Sequence, residues 1–215
     1  MKIRTIEELH DLLDADLSWR RKELTEIKFL IDNSVGSTLQ INLKIGIVLL
    51  YAHWEGYVKN SANYYLIYLS RFRFRYDELT ENLVTLSLRG RIKSCATTDK
   101  VSVHYSVVNT LINQLQTEIR IPFDDVIPVI GILNYDLLYE ILFTVGLDIP
   151  PFELKQYLID KVLVKNRNDV AHGVETTIRK DDFYQLYDEI IPMLEQFRNG
   201  IYIAAKNKTY RKAIV

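Results

Sequence analysis

The sequence predicts an all-α bundle that forms a single domain over residues 1–215. Only eight glycines and five prolines interrupt the chain, and so few breakers favour long helices. Apolar residues recur at helical spacing in most segments, and no stretch shows the strand–helix alternation of a βαβ unit. Hydrophobic residues make up 48% of the chain, which is enough for one sizeable core.

Breakers and apolar periodicity locate the individual helices. The expected helices cover about residues 5–33, 38–70, 78–93, 103–115, 134–147, 151–173 and 181–206. Gly36 should end the first helix, and Ser37 or Thr38 should cap the second. The second helix is apolar on most sides over 45–52, so we expect it to be central.

Other segments carry weaker signals. Pro192 should kink the last helix, and the residues from 206 to 215 are a candidate for a disordered tail. The segment 117–131 is apolar but broken by prolines, and the sequence leaves its structure open.

Composition narrows the class of protein. A formal net charge of −1 means that any contact with a polyanion must come from local basic patches. The single cysteine, Cys95, allows neither an intrachain disulfide nor a cysteine metal cluster. The N-terminus lacks a signal-peptide core, and the most apolar run, 45–52, is too short to span a bilayer. We therefore expect a cytoplasmic protein with no membrane partner.

The segment KNRNDVAHGVE, residues 165–175, concentrates polar residues at the end of an apolar helix. Asn168 and His172 are four residues apart and share a helix face, so the amide could orient the imidazole or hold a substrate oxygen. Arg167 is five residues from His172, roughly 140° round a regular helix. The two side chains leave the backbone in different directions, so a partner chain or a long reach must bring both to one phosphate.

A purely structural interpretation of this segment stays open. Lys165, Arg167 and His172 would be cations at the negative end of a helix macrodipole, and Gly173 would be a left-handed cap.

The stretch RNDVAHG resembles the R-x4-6-H signature of the HEPN superfamily of α-helical nucleases and nucleotide-binding domains. A second stretch, LLYAHWEGYVKNSANYYLIYL at 49–69, is similar to the early core helix of a HEPN branch found in bacterial defence and toxin–antitoxin operons. The two segments occur in the expected order. The resemblance implies a HEPN-like antiparallel helical bundle with additional helices.

The resemblance also implies a chemistry. HEPN ribonucleases work as homodimers in which two arginines and two histidines form one composite site, and they cleave RNA without metal by attack of a ribose 2′-OH. His172 would act as acid and base, Arg167 would stabilise the phosphoryl charge, and Asn168 would orient these groups or make a backbone contact. An unperturbed histidine supplies both protonation states near neutral pH.

Two further features have a structural and a functional interpretation. Glu55 and Lys59 are placed for a helical ion pair, which could also border the RNA groove or orient Arg167. In RFRFRY, residues 71–76, an extended chain would place Arg71, Arg73 and Arg75 on one face and aromatic residues on the other. These arginines and Lys165 are candidate RNA contacts, or else solvated cations beside core aromatics.

No metal or cofactor is expected. The four histidines are scattered, and His53 and Glu55 lie about 200° apart on a helix, so we expect His53 to be a core or interface residue. The leading prediction is therefore a metal-independent endoribonuclease, with RNA, a second copy and an antitoxin or neighbouring defence protein as partners. Two alternatives stay open: a non-catalytic HEPN module for dimerisation or for binding nucleotide or RNA, and an all-α interaction protein with a chance motif.

Overall fold

A computed structural model describes residues 1–212 as a bundle of helices with one very small sheet. The helices are α1 (Ile6–Asp32), α2 (Gly36–Ser70), α3 (Glu81–Cys95), α4 (Val101–Asn113), α5 (Tyr135–Val145), α6 (Pro150–Glu153), α7 (Lys165–Ala171) and α8 (Lys180–Asn207). A 3₁₀ turn covers Tyr76–Glu78, and a π-helical segment covers Leu158–Val164. The predicted all-α fold is confirmed.

The N-terminal helix begins where the sequence predicts. Thr5 caps α1, its hydroxyl accepting a hydrogen bond from the Glu8 backbone N–H at 3.1 Å. The expected cap of α2 is wrong: Val35 holds the N-cap position and contributes no side-chain hydrogen bond. Gly36 adopts φ +61°, so it turns the chain directly into α2 before Ser37 is reached.

Helix α2 is the centre of the bundle, as predicted. It packs against α1, α8, α7 and α5. Its side chains are buried on several faces, including Trp54, Tyr57 and Tyr65, and these aromatics contribute a large buried apolar area. The two long helices α1 and α8 cover α2 along much of its length.

The segment 71–76 leaves α2 and becomes extended. Strand β1 (Phe74–Arg75) pairs antiparallel with strand β2 (Glu118–Ile119), Phe74 opposite Ile119. The predicted alternation is present, because Phe74 and Tyr76 are buried while Arg73 is exposed. The aromatics of this segment therefore belong to the core.

The prediction of one continuous α-helix over 151–173 is wrong. The chain forms α6, a turn, the π-helical segment and then α7. The π segment widens the helix before α7 and changes the faces that follow it. The last helix, α8, continues through Pro192.

Residues 210–212 fold back on the start of α3. Tyr210 is buried, and its carbonyl accepts a hydrogen bond from the Thr80 N–H at 3.1 Å. Lys212 donates its backbone N–H to the Glu78 carbonyl at 3.0 Å. Of the tail predicted as a candidate for disorder, residues 213–215 lie outside the described residues.

Candidate active site

The polar segment predicted as the site forms α7 and its C-terminus. Gly173 has φ +68°, as a left-handed cap requires, and its N–H donates to the Val170 carbonyl at 3.1 Å. The Val174 N–H donates to the Asp169 carbonyl at 2.9 Å, which completes a Schellman motif. His172 is the last residue before this cap, so the backbone that carries the imidazole is firmly held.

Arg167 does not extend into solvent but packs against α2. Its Cζ lies 4.9 Å from the centroid of the Tyr51 ring, within the range of a cation–π contact. Its Nη1 donates to Oδ1 of Asn168 at 2.8 Å. Two groups therefore hold the half-buried guanidinium in place, and Asn168 orients Arg167 rather than the imidazole.

Tyr51 was not identified by sequence reasoning. The ring is buried, and its hydroxyl accepts a hydrogen bond from the Leu133 backbone N–H at 2.8 Å. Burial raises the pKa of Tyr51 to about 12, so the phenol is neutral at physiological pH. Only its position four residues before Glu55 could have indicated Tyr51, since both then lie on neighbouring turns of one helix face.

Glu55 and Lys59 form the predicted ion pair, with 2.9 Å between Oε1 and Nζ. The pair is mostly buried, with side chains 23% and 11% exposed respectively. Lys59 Nζ also donates to the carbonyls of Val129 and Gly131, at 3.3 and 2.9 Å. Glu55 and Lys59 line a cleft of about 640 Å³ between α2 and the loop 123–129.

His172 is exposed at the end of α7. Among residues 1–212, no side chain forms a hydrogen bond with its imidazole. Its backbone N–H donates to the Asn168 carbonyl at 2.9 Å, which fixes the main chain but not the ring. Arg167 and His172 therefore leave α7 in different directions, as their spacing predicts.

The other predicted RNA contacts are spread over the surface. Lys165 forms an exposed ion pair with Asp169 at 2.7 Å. Arg73 pairs with Glu118 at 3.2 Å, and Arg75 pairs with Asp77 at 3.0 Å. Arg71 lies over the ring of Phe72, with Cζ 5.0 Å from its centroid.

The arginines of 71–75 lie far along α2 from Arg167. Phe72 packs on Tyr68, 5.3 Å between ring centroids, whereas Arg167 packs on Tyr51. Seventeen residues of α2 separate these two tyrosines, about 25 Å at the rise of an α-helix. Within one chain, these arginines and Arg167 do not form a single cluster.

A buried polar cluster between α1 and α2 was also missed. Arg20 donates from Nε to Asp16 at 3.0 Å, and its Nη1 lies 3.4 Å from Nδ1 of His53. Burial, followed by the charge of Arg20, lowers the pKa of His53. Gly56 makes room for this cluster, because a Cβ there would lie 2.7 Å from Arg20 Nη1. His53 is thus a core residue, one of the two roles expected for it.

Two features of the described chain concern metals and membranes. Within residues 1–212, no three His, Cys, Asp or Glu side chains are grouped as metal ligands. None of the helices in that range combines the length and apolar character that crossing a membrane requires.

A helical bundle with an Arg–Asn pair and a histidine at the C-terminal end of one helix is the arrangement of a HEPN domain. The sequence model of the RiboL-PSP-HEPN family matches residues 15–202, and the chain belongs to this family. The match includes α2 and α7, so the resemblance based on those two segments is confirmed. No curated protein and no solved structure matches the chain.

Proposed function

We propose that the protein is a metal-independent endoribonuclease whose active site forms where two copies meet. One observation carries this proposal: α7 presents a half-buried Arg167, held on Tyr51, and an exposed His172 at a capped helix end. These are the residue types that the HEPN signature assigns to phosphate binding and proton transfer.

The chemistry follows from the residue types. A neutral His172 accepts the proton of a ribose 2′-OH, and that oxygen attacks the adjacent phosphorus. The protonated His172 of the second copy gives its proton to the departing 5′-oxygen. The products are a 2′,3′-cyclic phosphate and a 5′-OH. Arg167 stays charged throughout and offers a planar fork to the phosphoryl oxygens.

Neighbouring groups position the reacting groups. Asn168 accepts one N–H of Arg167 and limits the rotation of the guanidinium. Glu55 and Lys59 lie one and two turns along α2 from Tyr51 and support the base of the site. Lys165 precedes Arg167 on α7, and with Arg71, Arg73 and Arg75 it is proposed to contact RNA beyond the cleaved phosphate.

The cellular setting rests on family analogy. We propose that the enzyme acts in the cytoplasm as part of a bacterial defence or toxin–antitoxin system. An antitoxin or a neighbouring defence protein would then restrain it.

One observation favours a second function, that of a non-catalytic HEPN module. Within residues 1–212 the His172 imidazole has no orienting partner, and Arg167 is already engaged by Asn168 and Tyr51. In that case the same surface would bind RNA or nucleotide without cutting it.

A cleavage assay in excess EDTA separates the two functions. The purified protein should cut RNA, and His172→Ala or Arg167→Ala should lower the rate on the order of 10²–10⁴-fold. His10→Ala, which alters a partly exposed histidine on α1, serves as the matched control and should cut normally. Binding of RNA without cleavage by the folded wild-type protein would favour the non-catalytic module.

A further inference from the structure

An unpartnered face of α2 runs beside Arg167. Four residues of this face, which we call the α2 stripe, point within about 60° of one another on the helix: Ile41, Ile45, Val48 and Ala52. Ile41 and Ile45 are 58% and 49% exposed. On a regular helix the stripe lies about 60–120° round from Tyr51, so it borders the residue on which Arg167 packs.

The loop that Lys59 contacts, around residues 129–131, extends this apolar surface. Val129 and Ile130, which we call the apolar tip, are 88% and 91% exposed. Lys59 holds the carbonyls on either side of Ile130, so the tip is presented by a fixed backbone rather than by a free loop. Ala52 and Val129 line the same cleft, which makes the stripe and the tip one continuous surface. Contiguous exposed apolar surface of this kind marks an interaction site.

We propose that a second copy of this chain covers the α2 stripe and the apolar tip, with the two α2 helices antiparallel about a twofold axis near Leu49. This inference rests on the proposed function, because it names the surface that would assemble the composite site.

Charge complementarity supports this pairing. Lys44 is the only charged residue between Ile41 and Ala52, and it has no ion-pair partner within residues 1–212. Lys44 and Glu55 lie on the same edge of the stripe, about 20° apart on the helix. A twofold axis between Leu49 and Leu50 places Lys44 of each copy opposite Glu55 of the other. A parallel pairing would not bring these two charges together.

The same axis matches the apolar groups. Lys59, which holds the tip, comes level with Gln40 of the other copy, so Val129 and Ile130 would reach the exposed Ile41 there. The Ile41 end of each stripe therefore meets the apolar tip of the other copy.

The axis also brings the two arginine sites together. For antiparallel helices the twofold axis is perpendicular to the plane that contains both helices. The edge of α2 that carries Tyr51 therefore faces the same side of this plane in both copies. Each Tyr51 lies one to two residues from the axis, so the two tyrosines are offset by about 4–5 Å along the helix direction. The two Arg167 side chains then border one site, which is what a composite site requires.

A competing surface exists on α4. Val101, Tyr105, Val108 and Ile112 recur at helical spacing there, and all are at least half exposed. Helix α4 packs on α3 through its other side, and it makes no substantial contact with α2 or α7 among the described residues. Pairing through α4 would not bring two copies of Arg167 together, so α4 provides the matched control.

The test measures oligomeric state by sedimentation equilibrium at micromolar concentrations. The wild-type protein is expected at twice the 25.2 kDa chain mass, and Ile45→Glu and Ile130→Asp at the chain mass, with unchanged circular dichroism. Val108→Glu changes a residue of equal exposure on α4, 50% against 49% for Ile45, and should stay dimeric. A monomeric wild-type protein, a dimeric Ile45→Glu variant or a dissociated Val108→Glu variant would each overturn the inference.

A disulfide trap tests the antiparallel arrangement itself. Lys44→Cys with Glu55→Cys, in a Cys95→Ser background, should give a covalent dimer on oxidation. The two positions are about 16 Å apart along one helix, too far for an intrachain bond. Lys44→Cys alone should give no covalent dimer. A double variant that stays dimeric in solution yet does not cross-link would contradict the proposed axis.

These outcomes separate the interface from the nuclease. The interface would be upheld and the proposed activity refuted if Ile45→Glu is monomeric, the double cysteine variant cross-links, and the wild-type dimer does not cut RNA. RNA cleavage by a protein whose dimer survives Ile45→Glu would uphold the activity and refute the interface.

Discussion

The guanidinium of Arg167 lies over the ring of Tyr51, with Cζ 4.9 Å from the ring centroid. The hydroxyl of the same tyrosine accepts the Leu133 N–H. One side chain of α2 therefore packs under Arg167, the arginine proposed to bind phosphate, and also anchors the loop that carries the apolar tip.

The two roles of Tyr51 can be separated by substitution. Tyr51→Phe keeps the ring under Arg167 and should leave RNA cleavage near the wild-type level. It leaves the buried Leu133 N–H without its acceptor, so the free energy of unfolding in urea should fall by about 1–3 kcal/mol. Tyr51→Leu also removes the cation–π contact, worth about 1 kcal/mol, and should lower cleavage roughly fivefold. Equal cleavage by both variants would show that the ring does not position Arg167.

Lys59 should stabilise the loop more than a surface lysine does. Lys59→Met leaves Glu55 and two carbonyls without their donor, and the loss of stability should be about 1–3 kcal/mol. Amide exchange at residues 129–133 should accelerate. Lys165→Met removes an exposed ion pair and should change stability by less than about 1 kcal/mol. Similar stabilities for the two variants would show that the hydrogen bonds from Lys59 to the loop carbonyls do not stabilise the loop.

Replacing two helical glycines by alanine should change the stability of the protein in opposite directions. Gly56→Ala places a methyl group 2.7 Å from Arg20 Nη1, and the buried cluster must shift, which should cost about 1–3 kcal/mol. Gly90 lies in α3 with open space around it, so Gly90→Ala should stabilise the protein by about 0.5–1 kcal/mol. Thermal unfolding of both variants measures the difference. A neutral or stabilising Gly56→Ala would show that Arg20 is not confined there.

Much of the fold follows from the sequence, and the contacts that build the site do not. Apolar periodicity located α1, α2, α5 and α8 because each has a face that the core covers. The role of Tyr51 could not be predicted because its partner Leu133 is 82 residues away, and no local sequence pattern indicates such a contact. The π-helical segment was missed because its residues have the same apolar spacing as an α-helix.

His53 should make stability depend on pH. Burial and the charge of Arg20 lower its pKa in the folded protein below the ordinary value of 6.5, despite the opposing charges of Glu23 and Asp16. The unfolded chain then binds more protons at acid pH, so stability is full above about pH 6.5 and falls as pH drops toward the folded pKa. Urea unfolding between pH 7.5 and 5 should show this loss, and His53→Gln should reduce the slope. An unchanged slope in His53→Gln would assign the pH dependence to other groups.

RNA is proposed to supply its own nucleophile at a site containing His172, and the chemical ends of the cleaved RNA report on this step. In excess EDTA, the products should carry 2′,3′-cyclic phosphate and 5′-OH ends. A single 2′-deoxy substitution 5′ to the cleaved phosphate should abolish cutting there, and His172→Ala should lower the rate at every cleavage site on the order of 10²–10⁴-fold. Cleavage that survives the 2′-deoxy substitution, or that yields 5′-phosphate ends, would refute attack by the ribose 2′-OH.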